Sequence, residues 1–237
     1  TQDLTFDLPT LFAQKANVKL VFICSPNNPT GDLIPREQIV EVLEFYKGKA
    51  LVVVDEAYIE FAPEASVAGL LSQYSNLVVL RTLSKAFALA GLRCGFTLAE
   101  PAVIAALRQM IAPYPVPAPV AEIAVQALSS QGQQKMRATV EQINSLRDSF
   151  SAFAGTLSYV SRVYPSKANY VLLSVPDAAA LVSFIAEQGV LIRNQSSQLG
   201  LGQVVRVSIG NATEMAQLQQ IMSSYSTKKT TEKQESL

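Results

Sequence analysis

Four short apolar runs, each cut off by a turn or a polar residue, constrain the fold of this chain more than any other feature. Val18 to Cys24, Ala50 to Val54, Leu77 to Leu80 and Cys94 to Leu98 are nearly continuous in apolar residues. A strand with one wet face alternates apolar and polar positions, whereas a strand covered on both faces reads as an unbroken apolar run. These runs therefore predict strands of a buried sheet. After the first of them, Pro35 suits an opening helical position, Ile39, Val42, Leu43 and Tyr46 recur at helical spacing, and Gly48 supplies a stop. Strands alternating with helices imply right-handed crossovers and a mainly parallel α/β sheet, whose carboxyl ends are where ligands collect. Asn28, Asp55 and Lys85 all lie just past such ends.

The second half reads differently. From Pro113 to Pro119 the run Pro-Tyr-Pro-Val-Pro-Ala-Pro excludes a helix interior, because each proline fixes φ and lacks a donor. It predicts a domain junction. Beyond it, Val120 to Leu128 and Gln133 to Phe153 have helical patterns, the second long enough to bridge two domains. Strands near Tyr159 to Val163, Asn169 to Val175, Val190 to Arg193 and Val204 to Ile209, with helices near Ala178 to Gln188 and Thr213 to Ser224, predict a smaller α/β lobe. The expected organisation is a large domain over 1–115, an inter-domain helix and small C-terminal domain over 116–226, and a polar, disordered tail over 227–237.

The chain has 237 residues, 49% of them hydrophobic, enough for a well-buried core. Lys+Arg and Asp+Glu balance at 19 each, so no basic field gathers nucleic acid or an acidic membrane surface. No apolar run approaches the roughly 20 residues of a membrane span, and no basic-then-apolar leader opens the chain, which predicts a cytoplasmic protein. Cys24 and Cys94 each lie in an apolar run, which suits small buried thiols rather than a disulfide framework or a metal site. The first residue, Thr1, reads as the start of a fragment or a processed chain.

No histidine is present, so acid/base chemistry near neutral pH needs another group. Lys85 is the candidate, set between small and hydroxyl residues in Arg81-Thr82-Leu83-Ser84-Lys85-Ala86-Phe87. The hydroxyls of Thr82 and Ser84 and the guanidinium of Arg93 suit a phosphate, and a phosphate beside an imine-forming amine suggests pyridoxal phosphate. Asp55 at a strand end could pair with a protonated pyridine nitrogen. Tyr58 and Asn28 could reach the cofactor's phenolic oxygen. Taken singly, each has an ordinary alternative: a solvated lysine, a capping aspartate, a half-buried tyrosine, an Asn-Pro turn. Together they arise in order at successive strand ends.

Three motifs carry a family resemblance. Cys24-Ser25-Pro26-Asn27-Asn28-Pro29-Thr30-Gly31, Asp55-Glu56-Ala57-Tyr58-Ile59-Glu60-Phe61, and Thr82 to Phe87 through Gly91-Leu92-Arg93-Cys94-Gly95 closely resemble the histidinol-phosphate aminotransferases, fold-type I pyridoxal-phosphate enzymes. Val205-Arg206-Val207-Ser208-Ile209-Gly210 matches as well, and the likeness runs to about residue 225.

The resemblance implies pyridoxal 5'-phosphate bound to Lys85, which moves the proton between substrate carbon and cofactor. It implies Asp55 at the pyridine nitrogen, Asn28 and Tyr58 at the phenolic oxygen, and Ser84 with Arg93 at the phosphate. Arg206 looks like the family's substrate arginine, and Arg193 could supply a second for glutamate or histidinol phosphate. The family is homodimeric and longer at the N-terminal end. The resemblance thus implies an N-terminally truncated large domain that binds the cofactor poorly and is nearly inactive alone. Two other readings stay open: another fold-type I enzyme, threonine-phosphate decarboxylase-like or aromatic aminotransferase-like, and a non-enzymatic aminotransferase-like sensor domain.

Overall fold

A computed structural model describes residues 6–13 and 17–235, with side chains to Tyr225. The chain divides into two units, one of residues 1–28 and 33–140, the other of 29–32 and 141–237. The division falls within a long helix, Ser130–Ala154, and the proline run expected as a junction lies inside the first unit. There it separates two helices.

The first unit begins with a short helix, α1 (Leu8–Phe12). Strand β1 (Leu20–Cys24) follows, then helix α2 (Arg36–Phe45), β2 (Leu51–Asp55), β3 (Leu77–Thr82) and β4 (Gly95–Ala99). The sheet order is β1-β2-β3-β4, with β1, β2 and β3 parallel and β4 antiparallel to β3. A parallel return needs a crossover of a dozen or more residues, usually a helix. The link from β3 to β4 has no α-helix, so the strand turns back. The longer path from β2 to β3 makes its crossover with 3-10 turns at Ile59–Phe61, Pro63–Ala65 and Ala68–Leu70.

One face of the sheet is sealed by α2. Ile39, Val42 and Leu43 pack with Val21, Ile23, Val52, Val54, Leu77 and Val79, all buried. The opposite face is bare at β1, where Leu20 is 53% and Phe22 69% exposed. Helices α3 (Pro101–Met110), α4 (Ala118–Leu128) and the first part of α5 (Ser130–Ala154) complete the helical set of this unit. Helix α3, which the apolar spacing had not revealed, buries no residue.

The second unit is an antiparallel sheet of β5 (Arg162–Val163), β6 (Tyr170–Ser174), β7 (Arg193–Asn194) and β8 (Val204–Ser208) in the order β5-β6-β8-β7. Its core joins Phe150 and Ala154 of α5, Val171 and Leu173 of β6, Val205 and Val207 of β8, Leu181 and Ile185 of α6 (Ala178–Glu187), and Met215, Leu218 and Met222 of α7 (Ala212–Glu235). Asp177 caps α6 by accepting from Ala180 N at 2.9 Å. Tyr159 donates to the Met222 carbonyl at 2.9 Å, and burial raises its hydroxyl above the ordinary phenol range. Helix α7 continues to Glu235, past the Ser224 end suggested by the apolar spacing and into the stretch expected to be disordered. Lys, Glu and Gln favour helix there without an apolar face. Residues 236–237 of that tail lie outside the described residues.

Candidate active site

Parallel pairing sets the strand ends side by side. Cys24 is in register with Asp55, and Asp55 with Leu80, so the segments carrying Asn28, Asp55 and Lys85 leave one edge of the sheet together. Ser25 N donates to the Asp55 carbonyl at 3.0 Å, and Ile34 N donates to Ser25 Oγ at 3.1 Å. These bonds anchor the loop in which Asn28 is exposed. Asp55 is half-buried, and its Oδ1 accepts from Ala57 N at 3.0 Å. One carboxylate oxygen thus caps its own turn, as the ordinary reading of an aspartate here required. The turn delivers the buried Tyr58 to the head of the first 3-10 segment.

The lysine loop is held by a largely buried polar network, built mainly from motif residues that sequence reasoning left without a role. Arg81, at the end of β3, donates from Nε to Glu56 Oε2 at 2.7 Å, from Nη1 to Glu60 Oε1 at 3.1 Å and from Nη2 to Ser66 Oγ at 2.9 Å. Glu56 is 1% exposed and also accepts from Val67 N at 2.6 Å. A forked guanidinium is the cation suited to this geometry. Burial holds the Glu60 carboxyl above its ordinary range, against the opposing pull of Arg81. Among the described residues its Oε2 has no hydrogen-bond partner.

Thr82 accepts from Ser84 N at 3.1 Å and donates to Ser84 Oγ at 2.9 Å, with the Cys94 carbonyl 3.3 Å away. Its hydroxyl therefore organises Ser84 rather than facing outward as a phosphate ligand. Leu83 N bonds the Cys94 carbonyl, Leu89 N the Leu83 carbonyl and Ala88 N the Lys85 carbonyl, closing a compact loop. Two non-glycine residues in it, Ala88 at φ 55° and Arg93 at φ 54°, occupy the left-handed region. Such strain in a β-carbon-bearing residue persists only where surrounding structure over-determines it.

Within this frame Lys85 Nζ lies 5.2 Å from the centroid of the Tyr58 ring. The structure thus brings Lys85 and Tyr58 together and ties Ser84 down two residues past β3. Arg93 is exposed, with Nη1 donating to the Ala90 carbonyl at 3.0 Å, so its guanidinium engages its own turn. A mainly apolar cavity of about 490 Å³ in this unit is lined by Ile59, Glu60, Arg81, Phe87, Phe96 and Met136 among others; none of the six residues expected at the cofactor lines it.

The arginines expected at the substrate lie in the second unit. Arg193 of β7 and Arg206 of β8 are register partners, so both side chains leave the same sheet face. Arg206 is half-buried, its guanidinium 4.9 Å from the Tyr170 ring centroid; Arg193 is exposed. Both line a cavity of about 440 Å³ with Leu191, Ile192, Asn194 and Ser208. Like charges set directly opposite one another repel. An anion between them would remove that cost.

The chain matches the class I and II aminotransferases over residues 2–224, and it belongs to that family. It is 51% identical over 209 residues to histidinol-phosphate aminotransferase of Aeromonas hydrophila, covering 88% of this chain and 59% of that protein. It is 48% identical over 212 residues to the enzyme of the same name from Pectobacterium carotovorum, covering 90% and 59%. The chain thus spans about three fifths of the length of these curated relatives. Among solved structures, histidinol-phosphate aminotransferase from Clostridium acetobutylicum has a TM-score of 0.84 at 24% identity, covering 89% of this chain and 64% of that one. The Sinorhizobium meliloti enzyme, solved with pyridoxal-5'-phosphate, has a TM-score of 0.77 at 26% identity, covering 92% and 60%. The fold is therefore that of the fold-type I aminotransferases.

Proposed function

We propose that this member of the class I and II aminotransferases binds pyridoxal 5'-phosphate through Lys85 and serves histidinol-phosphate aminotransferase activity. The amino group would pass between glutamate/2-oxoglutarate and imidazole acetol phosphate/histidinol phosphate. The observation that carries the reading is the placement of the Lys85 amine 5.2 Å over the buried Tyr58 ring, at the sheet edge where Asp55 also ends. The donor set fits the cofactor: an amine, a carboxylate, a phenol, an amide, a hydroxyl and a guanidinium match its aldehyde, pyridine nitrogen, phenolic oxygen and phosphate. When bound, the cofactor supplies an electron sink for charge left on the substrate carbon.

The residues do the rest. Lys85 Nζ accepts the proton from the substrate carbon and returns it, replacing the histidine that the chain lacks. Asp55 would face the pyridine nitrogen, Tyr58 and Asn28 would donate to the phenolic oxygen, and Ser84, preset by Thr82, would hold the phosphate together with Arg93 once its guanidinium leaves the Ala90 carbonyl. Arg206 and Arg193 bind the substrate's anionic group. Guanidinium forks take a carboxylate or a phosphate ester alike, so one pair can serve both the amino donor and the phosphorylated substrate. The proposed setting is a cytoplasmic homodimer, consistent with two free cysteines.

Titration of the chain with pyridoxal phosphate tests this, comparing it with Lys85→Ala. A visible absorbance band present in the first and missing in the second is expected; identical spectra sink the reading. The substrate is tested separately, by amino transfer from glutamate to imidazole acetol phosphate. A second reading has one observation behind it: the structure is also similar to L-threonine-O-3-phosphate decarboxylase of Porphyromonas gingivalis, with a TM-score of 0.79 at 25% identity. Release of carbon dioxide from a phosphorylated amino acid would select it.

A further inference from the structure

We infer that Gly31 is a positioning residue for Asn28, acting through its packing against Ser166. The inference rests on the proposed role of Asn28 at the cofactor's phenolic oxygen. Residues 29–32 follow Asn28 directly, yet they group with residues 141–237 and not with β1, which leads into them. Lys167 N donates to the Gly31 carbonyl at 2.7 Å. Ser166, one residue earlier, is fixed by accepting from Ala168 N through its Oγ at 3.1 Å. The hydroxyl of Thr30 bonds the Asp32 carboxylate and tightens the turn.

Two separate constraints demand glycine at this point. Gly31 is buried with φ at 83°, in the left-handed region. A Cβ built on it would lie 2.7 Å from Ser166 Cβ, 3.0 Å from Ser166 Cα and nearer still to Ser166 Oγ. Atoms do not approach so closely, so any side chain must push the 29–32 turn away from Ser166. Asn28 is exposed, and its backbone runs between two anchored residues. Those anchors are Ser25, bonded to the Asp55 carbonyl, on one side and Gly31 on the other. Moving the second anchor moves the amide.

A glycine that merely permits a turn changes stability when replaced. One that sets Asn28 also changes the proton affinity of the lysine-bound cofactor, because a hydrogen bond to the phenolic oxygen lowers it. The test is a double-mutant cycle of Gly31→Ala and Ser166→Gly. Each chain is titrated with pyridoxal phosphate, and the visible band is followed against pH, with urea unfolding measured alongside. Gly31→Ala is expected to weaken cofactor binding roughly tenfold and to move the pH midpoint of the band upward. In the Ser166→Gly background the same substitution should cost less than half as much, since the added Cβ has room. Should Gly31→Ala fail to fold, Ser166→Val, which crowds Gly31 without touching its backbone, must raise the midpoint too.

An unmoved midpoint in the folded variants, or equal penalties in the two backgrounds, overturns the inference. Asn28→Ala distinguishes the causes. If it raises the midpoint and Gly31→Ala does not, the positioning role fails while the cofactor reading stands. If Asn28→Ala itself leaves the midpoint unchanged, the reading of Asn28 fails and the inference goes with it.

Discussion

Arg81 reaches from the end of β3 to a carboxylate that is almost wholly buried, Glu56, with 2.7 Å between Nε and Oε2. Glu56 directly follows Asp55, and Arg81 stands four residues before Lys85. One ion pair therefore ties together the two segments on which the proposed chemistry depends. Removing one partner of a buried pair leaves the other charge uncompensated, at roughly 3–5 kcal/mol in fully buried cases. Arg81 keeps 26% of its side-chain surface in solvent, which moderates this.

Arg81→Met is accordingly expected to destabilise the first unit by about 3 kcal/mol, read as a lower urea midpoint. The double variant Arg81→Met with Glu56→Gln should lose less, since the almost wholly buried Glu56 charge is then removed and only Glu60 is left without its cation. A double variant as unstable as the single one would show that packing around Arg81, rather than its charge, holds the loop.

Thr82→Val keeps the shape of the side chain and removes the hydroxyl that organises Ser84. One hydrogen bond is worth about 1 kcal/mol, so unfolding should shift by about that much, and where Ser84 loses its setting pyridoxal phosphate affinity should drop roughly fivefold. Thermal melting measures the first and equilibrium titration by absorbance the second. Unchanged affinity would return Thr82 to a structural role only.

The Glu60 carboxyl is held above its ordinary range by burial. A raised carboxyl binds its proton more tightly folded than unfolded, so its contribution is complete below the unfolded value and is lost as pH rises through the folded one. Glu60→Gln should therefore become more stable relative to the parent as pH climbs from about 4.3. Within that window the slope is at most about 1.4 kcal/mol per pH unit. Urea midpoints of both chains across pH 4 to 8 give the difference. A constant difference would mean that Glu60 titrates alike in both states.

Arg206→Lys replaces a planar fork stacked on Tyr170 with a point charge, and Arg193→Lys makes the same change at an exposed site. If the proposed amino transfer takes place, Arg206→Lys is expected to raise KM roughly tenfold or more for both proposed substrates, and Arg193→Lys a few-fold. Steady-state kinetics with glutamate and with the phosphorylated substrate separates the two. An equal effect would place both guanidinium groups at one anion on equal terms.

The strands and their loops were legible because burial on both faces writes itself as continuous apolar sequence, as in Val52, Val53 and Val54. The direction of β4 was not, since it depends on whether a helix fits between residues 83 and 94. Neither was the Arg81–Glu56–Glu60 network. Its members stand up to 25 residues apart, and nothing local marks them as partners. Thr82 was seen as a phosphate donor because a hydroxyl beside Ser84 looks the same whether it faces a ligand or its neighbour. The unit division within α5 escaped too. A helix whose two parts fall in different units carries one unbroken pattern, whereas the conspicuous prolines between α3 and α4 only turn the chain inside the first unit.

Strand β1 is expected to make this chain's behaviour depend on its concentration. Its outer edge pairs with no other strand among the described residues, and Phe22 and Leu20 stand beside that edge in solvent. A bare strand edge next to an aromatic and an aliphatic side chain is a template for adding another strand from another molecule. Melting temperatures and ligand affinities of this chain will then depend on how much of it is in the cuvette. Phe22→Lys, on a strand whose inward face is already satisfied by Val21 and Ile23, would put a charge where that edge now offers an aromatic ring.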